Sequence, residues 1–351
     1  MKGFVSSRLH PLLTLVLLVG LMVGGLCIAT FLIAVLASSI YGIGLLEMGN
    51  VTSRPDSHPD GWALLMLSQG LTLFIGFAGS ALVLAWMQGY RWTEYFAPRR
   101  PTRTEWLLLA GLLVIVSLPA MSSLIEWNAK MHFPPFMQGF ETWARQLEDK
   151  AEAMTKSLTQ FNTVTRLLVA LLVIAIVPAI SEELVFRGVV QRNLVQWTGS
   201  HHVGIWLSAA IFSAIHFQFF GFIPRLALGV IFGYLYAWSG NILVPMAAHF
   251  TQNAFQLVLL YLVQQRALTT DAFNPDSTES LPWPLVLLSA LLSAGILYYL
   301  YQKMAPTTEP TEAHTIASTG IAVRTADAPV PHERHTLSGR GIEVDDDKSA
   351  S

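Results

Sequence analysis

The sequence is short of charged residues and of cysteine, and each shortage excludes a class of protein. Only 13% of its 351 residues are charged, about half of the ~25% typical of soluble domains. The net charge is -2 and no basic run occurs, so nothing indicates a nucleic-acid partner. Cys27 is the lone cysteine, which excludes internal disulfides and a cysteine-based metal cluster. With 53% hydrophobic residues, the chain is expected to have lipid as its main solvent.

Long apolar runs fill most of the first 304 residues. A spanning helix needs about 20 mostly apolar residues, and the runs predict about eight such helices. They cover residues 12–38, 62–87, 105–125, 164–186, 203–219, 223–239, 242–264 and 283–301. The first run is longer than the core of a cleaved signal peptide, which has roughly 7–15 residues. The sequence therefore predicts an all-α, polytopic membrane helix bundle over 1–304 whose first helix is retained.

Three other segments have a distinct composition. Residues 305–351 hold Pro, Thr, Ala, Ser and charges without an apolar period, which predicts a disordered cytoplasmic tail. The stretch FETWARQLEDKAEAMTKSLTQ, between the third and fourth spans, is typical of an amphipathic helix on the membrane surface or of an ordinary solvated helix. GxxxG spacings at Gly20/Gly24 and Gly229/Gly233 indicate close helix packing.

Positive charge near the ends of spans predicts orientation. An even number of spans brings the basic end residues to one side: Lys2, Arg8, Arg91, Arg99, Arg100, Arg103, Arg192 and Lys303. The acidic loops 47–61 and 265–281 then lie on the other side. We therefore expect an integral membrane protein with both termini in the cytoplasm.

Ionisable side chains inside a bilayer cost about 2.5–3.5 kcal/mol each and are functional candidates by default. Of ten histidines, only His216 and His249 lie well inside apolar runs. Glu182 and Glu183 directly follow another such run. Partners four residues away share a helix face with these groups, and they are Arg187 after Glu183, Phe212 before His216, and Asn253 after His249.

This set of residues suits water attack on an amide. A carboxylate in an apolar site can act as general base, histidine can hold the water or pass on its proton, and His and Asn can donate to an oxyanion. Two His and one Glu are also a usual zinc set. Glu183 with Arg187 is interpreted as an orienting ion pair, Phe212 as packing, Pro178 and Pro245 as helix bends, and Arg225 as an interfacial anchor.

At these residues the sequence resembles the CPBP intramembrane proteases, a family that includes CAAX prenyl endopeptidases of the Ras-converting type and bacteriocin-processing or immunity proteins. Three motifs are matched in order, E-E-x-x-x-R at Glu182, Glu183 and Arg187, F-x-x-x-H at Phe212 and His216, and H-x-x-x-N at His249 and Asn253. Each motif is short, but three in order on apolar segments are specific. The resemblance is carried by about 175–260, within a protease core at about 164–264.

The resemblance implies an intramembrane endopeptidase in the plasma (inner) membrane of a bacterium, with lipid and a membrane-associated peptide or protein as partners. That substrate would be prenylated or bacteriocin-like. The implied general base is Glu182, with His216 positioning water, His249 and Asn253 stabilising the oxyanion, and Glu183 and Arg187 in support. The family has been described both as metal-dependent and as glutamate-type. With zinc or another divalent metal, the ligands would be Glu182, His216 and His249. We favour the metal-free form, because a ligating Glu182 would leave only Glu183 as a base.

Two other functions remain open on the sequence. A transporter or proton-relay protein also uses intramembrane ionisable groups, but it would show inverted repeats, and here the polar residues lie in the second half alone. A non-catalytic immunity or scaffold protein can share the fold. One inconsistency concerns depth, because counting from the span ends places His216 near one side and Glu182 and His249 near the other. A fourth helix running to about Trp197 would remove it.

Overall fold

The computed structural model describes residues 3–6, 9–96, 103–268 and 277–304. All of these residues lie in one compact unit, Met1–Ile321. The predicted tail at 305–351 lies outside the described residues. So do Lys2, Arg8, Arg99 and Arg100, which carry part of the orientation prediction, and 269–276 of the second acidic loop.

Over the described residues the chain forms helices and no strand, as predicted. In order, α1 to α11 are Pro11–Tyr41, Leu45–Ser53, Gly61–Met87, Trp92–Tyr95, Thr104–Ala129, Gln138–Leu158, Val164–Thr198, His201–Ala214, Phe222–Ser239, Leu243–Gln264 and Trp283–Met304. Two of the long helices contain π-helical segments, α3 at Thr72–Gly79 and α7 at Leu171–Ile176 and Phe186–Gln191.

The predicted membrane bundle is confirmed, and six of the eight predicted spans meet the length and hydropathy expected of a membrane-crossing helix. In the described part of the chain, six helices are long and apolar enough to cross a membrane, namely α1, α3, α5, α7, α11 and α9 with the turn before it. Helix α8 has 14 residues and is about 21 Å long, shorter than the ~30 Å hydrocarbon core. Helix α10 has 22 residues, but the polar side chains of HFTQN lower its mean hydropathy below that of the six.

Helix α7 lies at the centre of the bundle. Its second half packs through Val185, Phe186 and Val189 against α1, α3 and α8. Its first half packs through Leu167 and Ala175 against α3 and α10. The outermost helices turn apolar side chains away from the core, and Val16 of α1 and Leu291 of α11 are 68% and 63% exposed. A surface of this kind suits lipid.

The two GxxxG spacings have different outcomes. Gly229 and Gly233 of α9 face α8, and a methyl group on Gly233 would lie 2.7 Å from Ile205, so the prediction of close packing is confirmed there. Gly20 and Gly24 have no atoms within 4 Å of such a methyl group. Close packing is therefore not found at this spacing of α1 among the residues that the structure describes.

The charged segment predicted to be helical is α6, Gln138–Leu158, and it docks on the bundle. Phe140 and Trp143 contact the ring of Phe219 with centroids 5.0 and 5.8 Å apart. The Glu148 carboxylate accepts a hydrogen bond from the Phe220 backbone at 3.3 Å. Helix α6 therefore covers the turn that joins α8 to α9.

Glu141 of α6 holds the preceding loop, 130–137, against the helix. Its carboxylate accepts hydrogen bonds from the Phe133 backbone at 2.9 Å and from the Arg145 guanidinium at 2.8 Å, and it lies 2.9 Å from the His132 ring. These donors, the Phe133 N–H foremost, lower the pKa of Glu141 from 4.5 to about 2. Because the folded-state pKa is depressed, the stabilisation is present above pH 4.5 and is lost as pH falls toward 2.

We therefore expect Glu141→Gln to speed hydrogen exchange of the Phe133 amide several-fold at pH 6. The gap to wild type should close near pH 2, where the native carboxylate is itself protonated. Mass spectrometry with correction for intrinsic exchange rates measures this. Glu152→Gln, an exposed position on the same helix paired with Lys156, is the matched control. Unchanged exchange of Phe133 in Glu141→Gln at pH 6 would contradict this role.

Candidate active site

Helix α7 carries the two acids in mid-helix, because it continues beyond the predicted end at 186 to Thr198. Glu182 and Glu183 lie between its two π-helical segments, and Pro178 lies one turn before Glu182. Local π-helical turns are frequent at functional sites. Glu182 and Glu183 both lie beside His249 of α10. His216 is brought to the same region through Phe212, whose ring contacts both His216 and His249.

Glu183 is fully buried and holds two partners through one oxygen. Its Oε1 accepts from Arg187 Nη1 at 2.9 Å and lies 2.9 Å from His249 Nδ1. An ionised carboxylate only accepts, so Nδ1 carries the imidazole proton in this arrangement. The predicted ion pair of Glu183 with Arg187 is present. Its effect reaches His249, because the pair fixes that ring in orientation and tautomer.

Two phenylalanines line the space around these charges. The Arg187 guanidinium lies 5.2 Å from the ring of Phe212 and 5.4 Å from that of Phe232, within cation–π range. Phe232 also stacks on His249 at 5.5 Å, and Phe212 meets its edge at 6.3 Å. Phe212 is therefore a packing residue, as predicted, and it packs against the charged groups themselves.

Arg187 also ties α7 to α9. Its Nη2 donates to the Gly229 carbonyl at 2.9 Å, and Gln191, one turn later, donates to the Gly233 carbonyl at 3.0 Å. The absence of side chains at Gly229 and Gly233 allows this approach. Gln191 was not singled out from the sequence, although its four-residue spacing from Arg187 matches that of the two glycines.

Glu182 faces the other side of the His249 ring. Its Oε2 lies 3.8 Å from His249 Nε2, too far for a direct hydrogen bond. The side chain is largely buried and accepts no hydrogen bond from another described residue. The two neighbouring acids thus do different things, as their ~100° separation on the helix predicts. Glu183 is held in place, and Glu182 is left with free acceptor oxygens beside an imidazole.

His216 lies just after α8, in a turn, and not inside a helix as the predicted span 203–219 required. The helix ends at Ala214, and Phe217 takes a φ of 53°, which reverses the chain toward α9. The His216 Nδ1 lies 2.8 Å from the Phe212 carbonyl, which accepts from it and leaves Nε2 without a proton. Its ring contacts Phe212 at 5.1 Å, so Phe212 lies between the two histidines.

Asn253 does not bond to the acids or to His249. Its Nδ2 donates to the carbonyl of Ile174 in α7 at 3.1 Å, and the side chain is half-buried. One of its two N–H groups is thus committed to another helix.

Arg225, which the sequence suggested as an interfacial anchor, lies near the acids. It donates to the Gln218 side chain at 2.6 Å, and its charge acts on Glu182, His216 and Glu148. Burial raises the pKa of the Glu148 carboxyl on α6, and the Phe220 N–H and the Arg225 charge oppose this shift. No sequence spacing links Glu148 to Arg225, because α6 reaches the site from outside the motif-bearing core.

The metal alternative names Glu182, His216 and His249 as ligands. In the residues that the structure describes, no three His, Cys, Asp or Glu side chains form a group that could hold a metal ion. The Nδ1 bonds of His249 to Glu183 and of His216 to a carbonyl leave both Nε2 atoms free, an arrangement that metal-binding histidines also use. The side chains as placed do not form a three-ligand site, so no step below runs through a metal.

Comparisons with known proteins point to one family. Residues 164–255 match the family model described as type II CAAX prenyl endopeptidase Rce1-like, and this range holds all three motifs. No solved structure matches the chain.

Two curated proteins of Bacillus subtilis (strain 168) are similar in part. The uncharacterized protein YpbD is 39% identical over 80 residues, which is 22% of this chain and 38% of YpbD. YdiL, whose name marks it as a candidate membrane peptidase, is 32% identical over 89 residues, 25% of this chain and 36% of YdiL. The match thus spans little more than a third of the length of each relative.

The matched range coincides with the helices that assemble the polar site. It begins where α7 begins, and it ends two residues after Asn253. The resemblance read from the three motifs is confirmed, because residues 164–255, which hold those motifs, are similar to the CAAX prenyl endopeptidase family.

Proposed function

We propose that the chain is an intramembrane endopeptidase that hydrolyses peptide bonds of a membrane-associated substrate with water activated by Glu182. The observation that carries this proposal is the arrangement around His249. Its Nδ1 is fixed by the Glu183–Arg187 pair, and its Nε2 faces the unbonded Glu182 carboxylate at 3.8 Å. A base with free oxygens beside an oriented imidazole is suited to water activation.

The reaction consumes one water molecule, and Glu182 both accepts and returns the one proton that is transferred. Glu182 takes a proton from the water while the water oxygen attacks the peptide carbonyl carbon. The carbonyl oxygen becomes an oxyanion as the tetrahedral intermediate forms. When the C–N bond breaks, Glu182 returns the proton to the departing nitrogen. No Ser or Cys nucleophile is required.

His249 is the group proposed to meet the developing negative charge. Glu183 and Arg187 neutralise each other, so Glu182 and His249 decide the net charge of this buried cluster. Glu183 fixes Nδ1, so the His249 ring presents Nε2 to the site, and this nitrogen is the proposed donor to the oxyanion once it carries a proton. His216, which keeps Nε2 free, is proposed to hold the water, as the resemblance implies.

The substrate proposed is a peptide or protein held at the membrane, prenylated or bacteriocin-like, and the setting proposed is the plasma membrane of a bacterium with both termini inside. The family match supports a membrane protease, and the apolar helices support the membrane setting. A divalent metal stays a prediction, which the metal content of the purified protein tests.

Comparative proteomics of membrane peptides tests the proposal even while the substrate is unidentified. Membranes with wild type and with Glu182→Ala at equal abundance would be compared for new peptide termini. We expect a set of termini that needs Glu182 and that Glu152→Ala, an exposed control, leaves intact. Identical termini in the wild type and Glu182→Ala samples would contradict the proposed function.

A further inference from the structure

The helix that carries the acids has a gap in its hydrogen-bond ladder one turn before Glu182. Pro178 has no N–H, so it cannot donate to the carbonyl of Ile174 in an α-helical register or to that of Val173 in the π-helical register of the preceding segment. In a membrane a freed carbonyl must find another partner within the protein. The neighbouring π-helical segment, Leu171–Ile176, includes both carbonyls.

The partner comes from α10. Asn253 Nδ2 donates to that same Ile174 carbonyl at 3.1 Å. One turn earlier on α10, His249 bonds to Glu183 of α7 at 2.9 Å. The two helices are therefore joined at two points along α7, one on each side of Glu182 in the sequence.

We propose that Asn253 is a positioning residue that closes the gap left by Pro178 and thereby fixes Glu182 relative to His249. This inference rests on the proposed function of the site, and it differs from an oxyanion role for Asn253. Two joints prevent α10 from turning or sliding along α7. With the Ile174 bond lost, the Glu183–His249 bond remains between the two helices, and α7 can bend at Pro178, which moves Glu182 away from the water it activates.

Because Pro178 removes the backbone donor that an α-helical register would give the Ile174 carbonyl, a second substitution should restore what the loss of Asn253 removes. In Pro178→Ala the backbone N–H of residue 178 can bond to Ile174. We expect Asn253→Ala to lower kcat about 5- to 20-fold with little change in KM, the size expected for one interhelical hydrogen bond in a membrane. The double variant should return to within about threefold of Pro178→Ala alone.

Cleavage by purified, reconstituted full-length chain measures this cycle, with Gln256→Ala, an exposed amide on the same helix, as the matched control. An oxyanion donor predicts a different result, a loss of about 10²- to 10³-fold that Pro178→Ala does not relieve. Failure of rescue would overturn the proposal. If Pro178→Ala does not fold, Pro178→Val also supplies the N–H and keeps the side chain close to proline in volume.

An unfolding titration of the same four proteins gives a readout that needs no substrate. Asn253→Ala should raise the unfolding constant about 5- to 20-fold with Pro178 present, and less than about threefold with Ala at 178. If Asn253→Ala raised the unfolding constant equally with Pro and with Ala at position 178, the proposed link between Asn253 and Pro178 would be overturned. If the effect of Asn253→Ala on unfolding depended on residue 178 as expected, but the wild type cleaved no peptide, the proposed function would be wrong and the positioning role of Asn253 in the fold would stand.

Discussion

Glu182→Gln is expected to lower kcat/KM for peptide cleavage by about 10³-fold or more, within the range that a general base contributes. The amide keeps the size of the side chain and its 3.8 Å approach to His249, but it cannot accept the proton of the attacking water. Steady-state cleavage by the purified protein in lipid measures the loss. Since Glu182 accepts no hydrogen bond in the described structure, the thermal stability of Glu182→Gln should stay close to that of wild type.

Glu152→Gln is the matched control for this change, because Glu152 is exposed on α6 and forms an ion pair with Lys156 one turn away. We expect full cleavage by this variant. Loss of activity in both variants would show that cleavage depends on the protein's overall negative charge and not on Glu182 specifically. Retention of activity in Glu182→Gln would show that Glu182 is not the general base.

Arg187→Met is expected to lower the free energy of unfolding by about 3–5 kcal/mol, the cost of leaving one partner of a buried ion pair uncompensated. Arg187 and Glu183 are 2% and 0% exposed in their side chains. The substitution also removes the bond to the Gly229 carbonyl and both cation–π contacts. Unfolding titrations in detergent measure the change.

The double variant Glu183→Gln/Arg187→Met separates charge from packing. With no buried charge left unpaired, it should recover much of the stability that Arg187→Met loses. It should not recover activity, because His249 loses its carboxylate partner. Arg166→Met, at the start of α7 with its guanidinium over Trp62, should cost less than about 1 kcal/mol. A similarly small cost for Arg187→Met would contradict the burial argument.

The sequence predicted the structure best where polar residues at four-residue spacing follow or lie within long apolar runs. Apolar runs predicted the positions of the long helices, and the four-residue spacing of Glu183 and Arg187 predicted their ion pair. The end of α8 was missed because its last turn is set by tertiary structure. Phe217 takes a positive φ, and Asn128 of α5 bonds to the Phe219 carbonyl and the Ile223 N–H across the turn.

Other features of the site depend on contacts between distant segments, which no local pattern encodes. Phe232 stacks on His249 from α9, and Glu148 reaches the α8–α9 turn from α6. The role of Asn253 is a further case. Its spacing from His249 predicted a shared face, but its amide donates to the Ile174 carbonyl of α7, a contact between helices that spacing along α10 does not encode.

The most direct test of the central claim measures peptide cleavage and proton flux in the same proteoliposomes, with wild type and with Glu182→Gln, using a peptide identified by the comparative proteomics. The account predicts cleavage by wild type only. In oxygen-18 water each cleavage should place one labelled oxygen in the new C-terminal carboxyl group. Proton flux should not exceed that of empty vesicles in either sample. An intact peptide together with a proton flux that Glu182→Gln abolishes would contradict it and assign the buried acids to a proton relay.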